Sequence, residues 1–163
     1  MNMNPQERYI FVKPTDEDLI NAVHRILFRC GIKMARHFLF HWIPPYSKKA
    51  IRRDCRSKYV VIARDDSQDV FTSTFQMKPD KGHSLFVGKI ATDPKFEGRG
   101  IGKDNMQFME HFAREHGCRS IRLDVYVRSK QAVRFYQNSG FAIVGTKRSV
   151  RFKVYVMEKP LTS

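Results

Sequence analysis

The segment that most restricts how this chain can fold is Lys89-Ile90-Ala91-Thr92-Asp93-Pro94-Lys95-Phe96-Glu97-Gly98-Arg99-Gly100-Ile101-Gly102-Lys103. Leu85 to Ala91 reads as a strand, and three alternating glycines follow. Gly100 to Glu115 reads as a helix, with Met106, Met109 and Ala113 on one stripe and Phe108 and Phe112 beside it. Glycine at alternate positions lets the backbone approach a ligand closely and point successive N–H groups the same way. At a helix N-terminus those donors lie at the positive end of the dipole, which suits a phosphate. Arg99 and Lys103 add positive charge. The loop is not a P-loop, because Gly102-Lys103 is followed by Asp104, which has no hydroxyl for magnesium. Nor is it a dinucleotide fingerprint, because Gly98 and Gly100 would need a glycine at position 103, where lysine stands. Taken alone, a GxGxG turn more often serves only helix–strand packing.

The remaining pattern reads as one domain, residues 1–163, with no internal repeat or linker. Tyr9 to Val12 is a short strand ended by Pro14. Thr15 opens a helix with acids in its first turn, and Leu19, Val23, Ile26 and Cys30 follow at helical spacing. Gly31 stands where a C-terminal glycine would. The aromatic stretch His37 to Tyr46, broken by Pro44-Pro45, reads as a helix end running into a loop. Ser47 to Ser57 reads as a helix with Lys48, Lys49, Arg52, Arg53 and Arg56 grouped on it. Tyr59 to Arg64 and Val70 to Met77 are strands around the polar turn 65–68. Ile121 to Val127 is a strand, Ser129 caps a helix to about Ser139, and Phe141 to Gly145 and Phe152 to Met157 are closing strands. Early strands joined by tight turns and later ones alternating with helices predict an α/β (α+β) fold, its sheet antiparallel first and partly parallel later.

Thirty Lys+Arg against sixteen Asp+Glu leave a net charge of +14, which favours acidic partners such as nucleic acid, a phosphorylated cofactor or an anionic surface. Cys30, Cys55 and Cys118 form no CxxC pair, which argues against a zinc site and for reduced thiols in a cytoplasmic setting. Each lacks a nearby activating partner, so all three read as small buried hydrophobes. The longest apolar stretch, Phe38 to Ile43, contains His41 and is too short to cross a bilayer, and Met1 to Arg8 lacks the apolar core of a secretory signal. The expectation is a cytoplasmic protein with no membrane partner.

About thirty residues beyond the glycines lies a second constellation. Leu123-Asp124-Val125 sits on a strand, and the helix after Ser129 ends Phe135-Tyr136-Gln137-Asn138-Ser139-Gly140-Phe141. Together the two resemble the GNAT superfamily of N-acetyltransferases, whose signature [QR]xxGx[GA] is followed by an N…A…(F/Y)Y…GF stretch. Gly100, Gly102, Ala132, Phe135, Tyr136, Gly140 and Phe141 match it. The resemblance runs from about Leu85 to the C-terminus. It implies a GNAT-like fold of six to seven strands and about four helices. It also implies acetyl-CoA as cosubstrate, no metal, and direct attack by a primary amine in a ternary complex. Residues 85–163 would carry cofactor binding and catalysis, and 15–57 the acceptor-side helices. Ile90, Ala91 and Thr92 would line the pantetheine arm, with Ile90 and Thr92 pairing to it through backbone groups. Gly98, Arg99, Gly100, Ile101, Gly102 and Lys103 would supply the pyrophosphate donors. The strands ending near Ala91 and Tyr126 would splay to admit the arm. Two positions depart from the pattern: Glu97 stands where Gln or Arg is usual, and must point away or pair, as with Arg99. Ser129 stands where Asn is usual, shortening the reach to the pantetheine. Lower cofactor affinity is the expected consequence of both.

A lysine-like amine, with a reference pKa of about 10.4, is charged at neutral pH, so transfer needs a base, donors for the developing oxyanion and an acid for the thiolate. The resemblance implies the Ile90 amide as the oxyanion donor and Tyr136 as the acid. On spacing alone, Tyr136 also fits a buried aromatic stacked with Val133. For the base, Asp124 stands twelve residues before Tyr136, where some branches carry glutamate; a structural carboxylate paired with Arg122 or a neighbouring base is an equal reading. The fourth-strand glutamate of another branch is replaced by Phe86, leaving His83 or water as alternatives. Trp42 with His41, Pro44, Pro45 and Tyr46 forms either an aromatic acceptor wall or a core plug. The acceptor is a small-molecule or a protein or peptide amine, and the family often forms homodimers. Two other functions fit the residues: a non-catalytic acyl-CoA sensor, and a basic nucleic-acid-binding protein using Lys48 to Lys58 with Lys147, Arg148, Arg151 and Lys153.

Overall fold

The computed structural model describes residues 4–65 and 69–162. Its seven strands are β1 (Tyr9–Phe11), β2 (Tyr59–Arg64), β3 (Phe71–Pro79), β4 (Ser84–Thr92), β5 (Ser120–Tyr126), β6 (Ala142–Arg148) and β7 (Lys153–Pro160). They form one sheet in the order β1-β2-β3-β4-β5-β7-β6. Only β4 and β5 run parallel; every other neighbouring pair is antiparallel. The helices are α1 (Glu17–Arg36), α2 (Lys48–Ser57), α3 (Ile101–Glu115) and α4 (Lys130–Asn138). The expected mixed sheet and four helices are present. Positions 66–68 of the polar turn lie outside the described residues.

Strand alternation splits the apolar side chains into two cores. Val61, Phe75, Met77, Leu85 and Val87 pack with Met106, Met109 and Phe112 of α3. On the other face, Val60, Ile62 and Ala91 pack with Ile20, Val23 and Ile26 of α1 and Ile51 of α2. The α3-side cluster is the larger, and truncating its fully buried Phe75 to alanine would cost about 3–5 kcal/mol.

Three details differ from the sequence expectation. Asp16, not Thr15, is the N-cap residue of α1, and its carboxylate accepts the Lys13 N–H at 2.9 Å. Gly31 does not stop α1, which runs on to Arg36. It is buried, and a Cβ there would lie 3.5 Å from the Trp42 carbonyl oxygen, so this glycine serves a close approach. Strand β6 runs to Arg148, because Thr146, Lys147 and Arg148 pair with Tyr155, Val154 and Lys153, and β7 runs to Pro160, because Glu158, Lys159 and Pro160 pair with Arg122, Ile121 and Ser120 of β5. The Ser47 cap of α2 is as expected, its hydroxyl accepting the Ala50 N–H at 3.1 Å.

Strand β4 is irregular where it matters. Its register with β3 steps from Gln76↔Gly88 to Thr74↔Ala91, so β4 holds one extra residue, and Lys89 there adopts φ 48°. Such a bulge resets the alternation of faces.

Candidate active site

Strands β4 and β5 pair only through Ser84↔Ser120, Leu85↔Ile121 and Phe86↔Arg122. The closed end is pinned by the buried Ser84 and Ser120 hydroxyls, 2.8 Å apart. Beyond Phe86 and Arg122 the strands separate, and residues 87–92 have no strand partner on their β5 side. A cavity of about 890 Å³ occupies the gap, lined among others by Ile90, Asp124, Tyr126, Ser129, Ala132 and Tyr136.

The glycine loop lies where β4 leads into α3. Gly98 and Gly100 both have φ 77°, and Gly100 is the N-cap residue of α3. The Asp104 N–H bonds to the Gly100 carbonyl at 3.1 Å. The amides before it have no acceptor within the helix and remain for a ligand. A Cβ on Gly102 would lie 3.2 Å from the Phe135 ring of α4, so glycine here lets α3 and α4 approach. Glu97 is ion-paired with Lys33 of α1, not with Arg99; the Arg99 guanidinium lies 5.2 Å from the Phe96 ring centre instead. The loop has an anchor that sequence reasoning missed. Buried Asp93 accepts the Lys95 N–H at 3.0 Å and the Arg29 guanidinium of α1 at 2.8 Å.

Tyr136 lines the cavity from α4, half-buried and packed on the α3-side core beside Phe141. Burial raises its hydroxyl pKa above the usual range, so it is fully protonated at neutral pH. Ser129 begins α4 without a side-chain cap bond, which leaves its hydroxyl to the cavity it lines. Ile90 packs on the α3-side core and also lines the cavity. The Thr92 carbonyl already accepts the Cys30 thiol at 2.9 Å, and burial, with Asp93 and Glu97 adding, pushes that thiol up to about 12. Asp124 lies at the cavity wall with Lys147 of β6 at 3.4 Å, whereas Arg122 is near Glu158 at 3.9 Å. His83 is brought nowhere near this group: it is exposed in the β3–β4 turn with φ 63°, at the closed end of the cleft.

The α1–α2 loop, residues 37–47, closes the cavity from the other face. His41 sits with its ring centre 4.5 Å from that of Tyr126 and 6.1 Å from that of Phe152. Arg151 donates to the Ile43 carbonyl at 3.0 Å. Burial, with Lys89 nearby, holds the His41 pKa down to about 4, so its ring is neutral. The Lys89 ammonium lies 4.3 Å from the Tyr46 ring centre and 5.7 Å from the Trp42 ring centre. Of the basic α2 residues, Arg52 is paired with Glu17 at 2.6 Å and Arg53 lies 3.8 Å from Asp54. Among the described residues, no helix is long and apolar enough to cross a membrane.

The structure thus brings together a parted parallel strand pair, the N-terminus of α3 and a protonated tyrosine at the gap. The family model described as the acetyltransferase (GNAT) family matches residues 20–141. The chain belongs to this family. GNAT acetyltransferases act on amine acceptors. An uncharacterised N-acetyltransferase of Methanocaldococcus jannaschii is 39% identical over 59 residues, which cover 36% of this chain and 24% of that relative. The chain thus spans about a quarter of the length of the curated relative it matches. Among solved structures, the ribosomal-protein-S18-alanine N-acetyltransferase of Escherichia coli superposes with TM-score 0.74 at 16% identity, covering 95% of this chain and 94% of that one. A GNAT family acetyltransferase of Elizabethkingia anophelis with acetyl-CoA bound superposes with TM-score 0.64 at 16% identity, covering 71% and 84%.

Proposed function

We propose that this protein transfers the acetyl group of acetyl-CoA to a primary amine by direct attack in a ternary complex. The observation that carries the reading is the registration of two features: β4 and β5 part beyond Phe86 and Arg122, and the open amides of residues 98–103 lie where the parted strand leads. Those amides, with Arg99 and Lys103, would hold the diphosphate. The β5-side backbone of Ile90 and the Thr92 N–H would pair with the pantetheine arm, and the Ser129 hydroxyl would bond to it. Acetyl-CoA supplies an activated thioester carbonyl.

The protein's own groups then account for the proton and charge movements. The Ile90 N–H donates to the carbonyl oxygen as negative charge develops there. Asp124, directly or through water, takes the proton that the acceptor ammonium must lose before it attacks; Lys147 lies 3.4 Å from this carboxylate. Tyr136 gives its proton to the departing thiolate, and burial that disfavours the phenolate keeps that proton available at neutral pH. The Glu97–Lys33 pair removes the carboxylate that would otherwise oppose a diphosphate at this mouth.

Calorimetry and thermal unfolding with acetyl-CoA test the reading. At one hundred times its dissociation constant the ligand should stabilise the protein by about 2.7 kcal/mol. Thiol release should then depend on both acetyl-CoA and an amine. No binding would refute the proposal, and binding without amine-dependent release across a broad panel would leave a sensor in its place.

A further inference from the structure

We propose that the acceptor is a small amine bearing a carboxylate close to its amino group, and that Lys89 recognises that carboxylate. The inference rests on the acetyl-transfer reading and assigns its substrate class. It begins with backbone strain. Lys89 holds φ 48°, a left-handed conformation that a residue with a Cβ adopts only at a cost, at the single extra position in β4. The residues on either side show what this achieves. Val87 faces the α3-side core and Ala91 the α1-side core, so the bulge swaps faces and presents Lys89 to the rings of Trp42 and Tyr46.

The ammonium is half-buried, and among the described residues it forms no ion pair. The nearest acid, Asp54, is itself buried, and its Oδ2 already accepts the Tyr46 hydroxyl and the Gln76 amide. Burial lowers the Lys89 pKa, with Asp54 opposing and Lys58 assisting. A desolvated cation against aromatic faces, facing a cavity, is an unsatisfied site for an anion. The rest of the wall has the same sign. Lys58, Lys78, Lys147 and Arg148 also line the cavity, against Asp80 and Asp124 alone, and Lys147 lies beside Asp124. A polyamine would meet repulsion here. A carboxylate would meet attraction.

Two further features narrow the class. Lys89 directly precedes Ile90, whose amide faces the reacting carbonyl in the proposed mechanism, so carboxylate and amine must lie a few bonds apart. His41 also lines the cavity, and its ring is neutral, so it adds no second cation beside Lys89 there. The loops 37–47 and 149–152 meet above the cavity through Arg151 with Ile43 and Phe152 with His41, which favours a compact acceptor over a peptide.

The test uses matched pairs at saturating acetyl-CoA: amino acids, their amides, and the corresponding amines lacking the carboxylate. The acids should lead in kcat/KM by about ten- to a hundredfold, the worth of a charge-assisted bond. Lys89→Met should collapse that ratio to near one, and Lys89→Arg should restore most of it. Acids and amides turned over alike, a preference surviving in Lys89→Met, or turnover confined to peptides would each overturn the proposal. Binding supplies a readout without turnover. Trp42 is the only tryptophan, and its emission can be titrated with N-acetyl amino acids on the CoA-loaded protein, with calorimetry in parallel. Saturable binding should occur in the native protein and weaken at least tenfold in Lys89→Met, with CoA affinity measured to show the fold intact. If no amine is acetylated yet this binding holds, the carboxylate site stands and the transfer reading fails. If amines are acetylated but no carboxylate binds in a Lys89-dependent way, the carboxylate site fails and transfer stands.

Discussion

Replacing Gly100 with alanine isolates the backbone conformation on which the diphosphate site depends. Gly100 has φ 77°, and an added Cβ would meet nothing within 4 Å, so the cost is conformational and not steric against neighbours. Placing an L-residue in the left-handed region costs about 1–2 kcal/mol. Restricting the unfolded chain returns about 0.4–1 kcal/mol. The net loss is about 1 kcal/mol, which for a domain of this length lowers Tm by roughly 2–4 °C. Gly98→Ala is an internal replicate, because Gly98 shares φ 77° and open surroundings. Gly88→Ala is the counter-case: its surroundings are equally open but its φ is not in that region, so the unfolded-state gain alone should apply and Tm should rise. Calorimetric unfolding of the three variants, with acetyl-CoA titrations, reads both effects. An alanine that relaxes out of the left-handed well turns the following amides away, so cofactor affinity should fall at least about tenfold in Gly100→Ala. If Gly100→Ala were stabilised like Gly88→Ala, the argument from loop conformation would be wrong.

Tyr136→Phe should leave acetyl-CoA affinity within about threefold but lower kcat by roughly 10²–10⁴, read by thiol release; unchanged release would remove it as the acid. Asp124→Asn should lower kcat/KM by at least about tenfold while Lys147→Met costs less, because the lysine only accompanies the base; equal losses would point to a structural ion pair. Glu97→Gln should tighten acetyl-CoA binding and Lys33→Met should weaken it, each with a stability change under about 1 kcal/mol, since the pair is half exposed. Titrations showing both variants unchanged would mean that Glu97 does not sense the diphosphate. The folded His41 pKa of about 4 lies below its unfolded value of about 6.5, so the unfolded chain binds more protons between them. Its contribution, about 1–2 kcal/mol, is present above pH 6.5 and lost as pH falls toward 4. His41→Phe should flatten the Tm decline over that window, leaving the smaller part due to His24, which burial also lowers; an unaltered decline would place the titration elsewhere.

The features legible in the sequence are those whose physics is local. Glycines at 98 and 100 announce positive φ, and the helical period of Met106, Met109 and Ala113 announces the core face of α3. The Phe135–Phe141 stretch gave both α4 and the tyrosine at the cavity. The features that were not legible depend on residues far apart in the chain. Arg29 meets Asp93 and Lys33 meets Glu97 across 64 positions in each case, the second only because α1 runs past Gly31. A glycine in a helical period reads as a stop unless one knows that the Trp42 backbone approaches it. Which base accompanies Asp124 was not legible for a similar reason: Lys147 lies across the sheet in β6, and no spacing within β5 reveals it. The bulge at Lys89 left no trace either, since one extra residue leaves the hydrophobic run from Leu85 to Ala91 unchanged.

That extra residue couples the two halves of the site. With strict alternation, Leu85 and Val87 on the α3 face would be followed by positions 89 and 91 on the same face, and Ile90 would turn toward α1. In the structure the order after Val87 is reversed: Ile90 packs with the α3-side cluster and Ala91 with the α1-side cluster. The amide offered to the thioester and the ammonium offered to the acceptor therefore come from adjacent residues directed to opposite faces. A register shift in β4 would displace both together, so the strain at Lys89 fixes the distance between the two reactants as well as the position of each.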